Sequence, residues 1–263
     1  MDLNLQGKNA FVAGSTQGIG KASAIALAQL GARVTLLARN ETRLKHVLEE
    51  LDTSAGQVHD YILVDFSEPD SLREKIDAYL SDTPQAIHIL INNTGGPPGG
   101  PIANAEIEEF KSAIDMHLVC NHILVQGLME GMRKEGFGRI VNVISTSVKQ
   151  PINGLGVSNT VRGAVANWSK TLANELGQYG ITVNNVLPGF TKTARLEQIV
   201  ENRAQKLKKS NEEIEEIMKA GVPARRFAEA EEVANAIVFL ASPAAGYING
   251  INVPVDGGRT ACL

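Results

Sequence analysis

Apolar and polar positions along the 263-residue chain follow two rhythms. Short runs of β-branched and aliphatic residues, apolar at consecutive positions, are separated by longer stretches in which apolar residues return every three or four positions. The first rhythm predicts strands buried on both faces, and the second predicts amphipathic helices. "NAFVAG" predicts a strand, followed by a helix from about Gly18 to Leu30. "ARVTLLAR" predicts a second strand, with a helix over Glu41–Asp52. "DYILVDF" predicts a third, and the next helix opens at "SEPDSLREKI", where Ser67 is placed to cap and the acids suit the first turn. "IHILINN" is a fourth strand, a long helix covers about Ala105 to Glu135, and "GRIVNVIS" is a fifth strand. A helix over Leu155–Leu176 precedes the sixth strand, "ITVNNVLPG". Helical segments over 193–219 and Glu229–Leu240 lead to a last short strand in "GINVPVDGG".

Strands apolar on both faces and separated by helices call for a parallel sheet covered on two sides. No repeat, low-complexity tract or linker divides the chain. The expected fold is a single α/β domain over residues 1–263, a Rossmann-like doubly wound parallel sheet of about seven strands.

Composition then narrows the partners. With 43% hydrophobic and 21% charged residues the chain can bury a sizeable core. A net charge of −4, with no block of five like charges, gives neither a nucleic-acid footprint nor a basic membrane-surface helix. The two cysteines, Cys120 and Cys262, have no metal-ligand spacing and no disulfide framework, so no metal site is expected. The start, "MDLNLQGKNAFVAG", carries acids where a signal peptide has bases, and no apolar run approaches transmembrane length. A cytoplasmic protein is the expectation.

The stretch "AGSTQGIGKA" follows the first strand directly and opens the first helix. Gly14 permits a tight turn, Gly18 lets backbone approach a phosphate, and Gly20 lets the helix pack on the sheet. The turn residues Ser15, Thr16, Gln17 and Ile19 then present helix N-terminal N–H groups to a pyrophosphate. At the end of the second strand an acid would grip the adenosine ribose and favour NAD. The chain instead has Ala38, then Arg39 and Asn40. Removing the carboxylate and adding a guanidinium suits a 2′-phosphate, so the cofactor read from this strand is NADP(H).

These residues, with "NNTG" (Asn92–Gly95) after the fourth strand, "PGFTKT" (Pro188–Thr193) after the sixth and "VPVDGG" near the C-terminus, resemble the short-chain dehydrogenase/reductase family. The resemblance spans essentially the whole chain, with spacing similar to the 3-oxoacyl carrier-protein reductases. The glycine turn departs in one place, with Ala13 where threonine is usual. What the resemblance implies is cofactor binding by Asp65 and Phe66 after the third strand, Asp65 at the adenine. Asn92 would line the adenosine side, Thr94 and Gly95 would follow it, and Pro188, Gly189, Thr191 and Thr193 would reach toward the nicotinamide. It also implies a homotetramer acting on a small carbonyl or alcohol, of which a 3-oxoacyl thioester is one example.

The family's catalytic set is Asn, Ser, Tyr and Lys, the last two as Tyr-x-x-x-Lys. Ser145 in "VISTS" matches the serine, but the tyrosine and lysine positions hold Ser158 and Arg162, and the Asn position holds His117. No shifted pair exists, because the residues four positions after Tyr61, Tyr79, Tyr179 and Tyr247 are Asp65, Thr83, Val183 and Ile251. An aliphatic hydroxyl is a far weaker acid than a phenol, and arginine does not pass protons along. Arg162 can still bond the nicotinamide ribose and stabilise a developing alkoxide. His117 brings a group that titrates near neutrality. Thr94–Asn104 forms a Gly/Pro-rich loop where ligands of open α/β sheets bind, and 193–219 falls where the family has its substrate lid. Two readings follow: an NADP(H)-dependent oxidoreductase with an altered catalytic set (Ser145, Ser158, Arg162, His117), or a non-catalytic NADPH-binding sensor or scaffold.

Overall fold

The computed structural model describes residues 1–83 and 85–262. Its strands are β1 (Asn9–Ala13), β2 (Arg33–Ala38), β3 (Asp60–Leu63), β4 (Ile89–Asn92), β5 (Gly138–Val143), β6 (Ile181–Pro188) and β7 (Asn252–Val255). All pair in parallel, in the order β3-β2-β1-β4-β5-β6-β7. The expected doubly wound sheet is therefore present. From β1 the chain winds outward to β2 and β3 and then returns across β1 to β4, so a crevice opens at the carboxyl ends of β1 and β4.

One face is covered by α1 (Gly18–Gln29), α2 (Glu41–Glu50) and α9 (Ala230–Ala241), through Leu27, Leu44 and Ile237. The other carries α3 (Pro69–Asp82), α5 (Cys120–Glu135) and α6 (Gly156–Leu176), through Leu72, Leu124 and Leu176. Burial of both faces accounts for the continuously apolar strands.

Two local expectations are corrected, and a third is refined. Ser67 does not cap α3: Pro69 occupies the helix start after Glu68, and the Ser67 N–H and hydroxyl both donate to Asp65 Oδ1. The long helix is not uniform. It begins as α4 (Ile107–Ile114), widens into a π-helical turn at Asp115–Val119, and resumes as α5. The 193–219 segment is two helices, α7 (Ala194–Leu207) and α8 (Asn211–Ala220), broken where Lys208 adopts φ 54° and Ser210 starts a capping box.

A polar row crosses the sheet near its carboxyl edge. Asn92, Asn142, Asn185 and Asn252 stand in register on β4 to β7. Asn92 Nδ2 donates to Asn142 Oδ1 at 2.8 Å, Asn142 Nδ2 to Asn185 Oδ1 at 3.0 Å, and Asn185 Nδ2 to Asn252 Oδ1 at 2.8 Å. Ser169 on α6 accepts from Asn142 at 3.2 Å. This ladder fixes strand register, since a slip would leave several buried amides unpaired.

Candidate functional site

The crevice is a cleft of about 730 Å³ that runs from the first two strand ends to the first turn of α7. At its phosphate end the β1–α1 turn is built so that only glycine fits. Gly14 has φ +60°, and a Cβ there would stand 2.2 Å from the Asn93 main-chain oxygen. Gly18 has φ +52°, and its Cβ would meet Thr193 Cγ2 at 2.8 Å. A Cβ on Gly20 would meet the Gly14 carbonyl at 2.2 Å, so this glycine serves packing beneath the turn. Free N–H groups of α1 face the cleft beside Thr16, Gln17, Gly18 and Ile19. Residues of this kind fit a dinucleotide pyrophosphate. Ser15 is fully buried and bonds the Leu37 carbonyl, which places it behind the turn.

At the adenosine end Ala38, Arg39 and Asn40 line the cleft, together with Asp65 and Phe66. Arg39 is mostly free, with a side chain 79% exposed and one nitrogen 3.9 Å from Asp65 Oδ2. The main-chain N–H and hydroxyl of Ser67, with Arg39 nearby, hold the Asp65 carboxyl below its usual range. Asn40 caps α2 by accepting from the Arg43 N–H at 2.9 Å. That cap aims Arg43 into the cleft, where its Nη1 donates to Gln17 Oε1 at 3.2 Å. Arg43 went unread in the sequence, because the Asn40 cap and not a motif position brings it to the cleft.

Asn92 stands apart from its expected place. It is 2% exposed, belongs to the asparagine ladder, and does not line the cleft. Its neighbour Asn93 does, and its Nδ2 reaches the Gly14 and Ala13 carbonyls at 3.3 and 3.4 Å, bracing the glycine turn.

The catalytic candidates converge at the carboxyl ends of β4 and β5. Ser145 follows β5, lines the cleft, and accepts from the Ser147 N–H at 3.1 Å. Ser158 and Arg162, one turn apart on α6, face the same space. Arg162 is 7% exposed and donates to the main-chain carbonyls of Val143 at 3.1 Å and Thr94 at 3.5 Å. Both acceptors are neutral, so no carboxylate balances the charge at these bonds. Burial, assisted by the nearby Arg195 guanidinium, brings Arg162 down to about 10, which leaves it cationic at neutral pH.

His117 lies in the π-helical turn, 1% exposed and outside the cleft lining. Its Nδ1 is 2.6 Å from the hydroxyl of Thr94, which does line the cleft. Burial, with Arg162 adding repulsion, drives the imidazole down to about 2, so it is neutral. Thr94 thus links the two altered positions: its carbonyl takes Arg162 and its hydroxyl takes His117.

The last wall is Pro188, Gly189, Phe190, Thr191 and Thr193 after β6, then α7. Thr193 caps α7 by accepting from the Leu196 N–H, and Leu196 and Ile199 turn toward the cleft. Behind them Val200, Ile214, Met218 and Phe227 form a small apolar cluster of their own. Arg195, also unread in the sequence, reaches from α7 to the loop after β4. Among the described residues there is no group of three or more potential metal ligands, and no helix long and apolar enough to cross a membrane.

Known proteins share this architecture. A family model described as Enoyl-(Acyl carrier protein) reductase matches residues 13–260. The chain is 31% identical to the NADPH-dependent reductase BacG of Bacillus subtilis, covering 95% of this chain and 97% of that protein. It is 32% identical to the 3-oxoacyl-[acyl-carrier-protein] reductase FabG of Vibrio cholerae, over 97% and 98% of the two chains. Among solved structures, the L-sorbose reductase of Gluconobacter frateurii, complexed with NADPH and L-sorbose, superimposes with a TM-score of 0.93 at 30% identity over the full length of both chains.

Proposed function

Because the chain belongs to the short-chain dehydrogenase/reductase family, we propose that it is an NADP(H)-dependent oxidoreductase acting on a small carbonyl compound or the corresponding alcohol. The observation that carries this reading is the continuity of one cleft from the Arg39–Arg43 pair, past the glycine turn, to Ser145 and Arg162. A phosphorylated dinucleotide would fit that path, with its nicotinamide end toward Ser145, Ser158 and Arg162.

When bound, the cofactor supplies or accepts a hydride at the nicotinamide. Arg39 and Arg43 hold the 2′-phosphate, and α1 receives the pyrophosphate. Thr191 and Thr193 orient the nicotinamide half. Ser145 donates a hydrogen bond to the substrate carbonyl. Arg162 bonds the nicotinamide ribose and supplies the positive field in which an alkoxide develops. Its preorganisation by Val143 and Thr94 keeps the guanidinium from relaxing as charge forms.

Ser158 and Thr94 conduct the proton from solvent at hydroxyl level, in place of a phenol. His117 acts through Thr94 as a positioning residue, since a buried neutral imidazole fixes the threonine rotamer. The α7–α8 pair, within 193–219, serves as the substrate lid. The protein works as a homotetramer in the cytoplasm, a setting that suits its two unpaired cysteines.

Nicotinamide absorbance with a panel of ketones and aldehydes tests the reading. Wild type should consume NADPH and not NADH, and Ser145→Ala should lower kcat at least about tenfold, a loss of one carbonyl hydrogen bond in the transition state. NADPH binding without consumption across the panel would favour the sensor or scaffold.

A further inference from the structure

Two guanidinium groups share the substrate end of the cleft. Arg162 projects from α6, and Arg195 from the first turn of α7. The Nη2 nitrogen of each lies 3.9 Å from the point a Cβ on Gly96 would occupy, and beyond Gly96 and its two chain neighbours no other described atom comes within 4 Å of that point. The two nitrogens are thus separated by less than twice that distance, across an opening over a residue with no side chain.

Among the described residues neither cation has an acidic partner. Arg162 bonds the Val143 and Thr94 carbonyls, and Arg195 bonds the Pro97 carbonyl at 2.9 Å and the Gln198 amide oxygen at 3.0 Å. The one acid lining the cleft among the described residues, Asp65, stands at the adenosine end beside Arg39. Arg195 also occupies the positive end of the α7 dipole, where acids are favoured and a cation is not. Two like charges facing one opening call for an anion between them. The cofactor does not supply it: its phosphates belong to the glycine turn and the Arg39–Arg43 pair, and its nicotinamide half has no negative group beyond them.

We infer that the substrate is an oxo acid whose carboxylate sits over Gly96 between Arg162 and Arg195. This rests on the oxidoreductase reading and names the substrate class of that same site. A planar carboxylate matches the guanidinium fork, with Arg195 as the residue that determines the preference. The reaction then balances as oxo acid plus NADPH plus a proton giving hydroxy acid plus NADP⁺. The hydride goes to the carbonyl carbon, the π pair moves to oxygen, and the proton completes the hydroxyl. The bond from Arg195 to Pro97 ties α7 to the loop after β4, so the same residue joins the two walls that close on the acid.

Calorimetry on the NADP⁺-saturated protein tests this. The probes are the straight-chain five-carbon oxo acids with the ketone at the second, third or fourth carbon, each against its methyl ester. At least one acid should bind about tenfold or more tighter than its ester, the difference expected when a charge-assisted pair is lost. Arg195→Met should erase that preference, Arg195→Lys should retain part of it, and NADP⁺ affinity should stay within about threefold of wild type in both. Equal binding of acids and esters would overturn the inference, and ester reduction with NADPH would leave the oxidoreductase reading standing. Absence of binding by every probe to an intact NADP⁺ complex would also overturn it. So would an Arg195→Met variant that loses NADP⁺ as strongly as it loses the acid, since Arg195 would then serve the cofactor. Failure of wild type to bind NADP⁺ at all would overturn both readings together.

Discussion

A guanidinium at 7% exposure is tolerable at position 162 because two strand-end carbonyls receive it, not because an acid neutralises it. Its charge is therefore available to a ligand. The Arg39–Arg43 pair makes the same point at the other end of the cleft, where Arg39 is largely free and the Arg43 guanidinium bonds the neutral Gln17 amide. Losing one phosphate–guanidinium bond should cost on the order of 1.5–3 kcal/mol. Arg39→Ala and Arg43→Ala should each weaken NADPH binding by that amount and leave NADH nearly unchanged, as fluorescence titration reads. Equal NADPH and NADH affinities in wild type would contradict the assignment. Of this set Arg39 and Arg162 were legible in the chain, because each replaces a residue type at a fixed place in a motif. Arg43, Asn93 and Arg195 were not, because what brings them to the cleft is a cap, a turn and a packing angle rather than a motif position.

Among the elements, the π-helical turn at Asp115–Val119 most changes the chemistry. The apolar period over 105–135 predicted a helix there, and a helix forms. The widened turn that sets His117 against Thr94 has no signature in that period. The asparagine ladder was equally hidden, because it depends on the mutual register of four strands. His117 has a pH consequence. Its imidazole is held at about 2 in the fold against an ordinary 6.5, so below pH 6.5 the unfolded chain takes up a proton that the folded chain refuses. Stability contributed by the neutral ring is present above 6.5 and is lost as pH falls from 6.5 toward 2, at a limiting slope of about 1.4 kcal/mol per pH unit. Urea denaturation across that range should show the slope in wild type, and His117→Asn should remove about that much of it. Parallel pH profiles for the two proteins would mean that His117 is solvated and titrates normally.

At the scale of the whole molecule the doubly wound parallel sheet of seven strands was the most legible feature. Doubly apolar strands alternating with helices leave few arrangements, and the glycine turn after the first strand selects the doubly wound one. Assembly is a further property at this scale. The tetramer proposed above would pair the long helix over 105–135 and α6 between subunits, helices joined by the Trp168–His122 hydrogen bond. Light scattering at micromolar concentration should give about four times the 28.1 kDa chain mass, and a stable monomer would contradict it.

We propose that this cleft transfers hydride with Arg162 in place of an ammonium and Ser158 in place of a phenol. Incubating the protein with NADPH deuterated at the transferable nicotinamide position, together with a mixture of oxo acids and neutral ketones, tests it most directly. Mass spectrometry should find one deuterium on the carbinol carbon of a product from the wild-type protein. Arg162→Met, which keeps similar apolar bulk, should reduce that label at least about tenfold by weakening cofactor and alkoxide binding. A wild-type protein that binds NADPH and leaves every product unlabelled would rule out hydride transfer in this cleft.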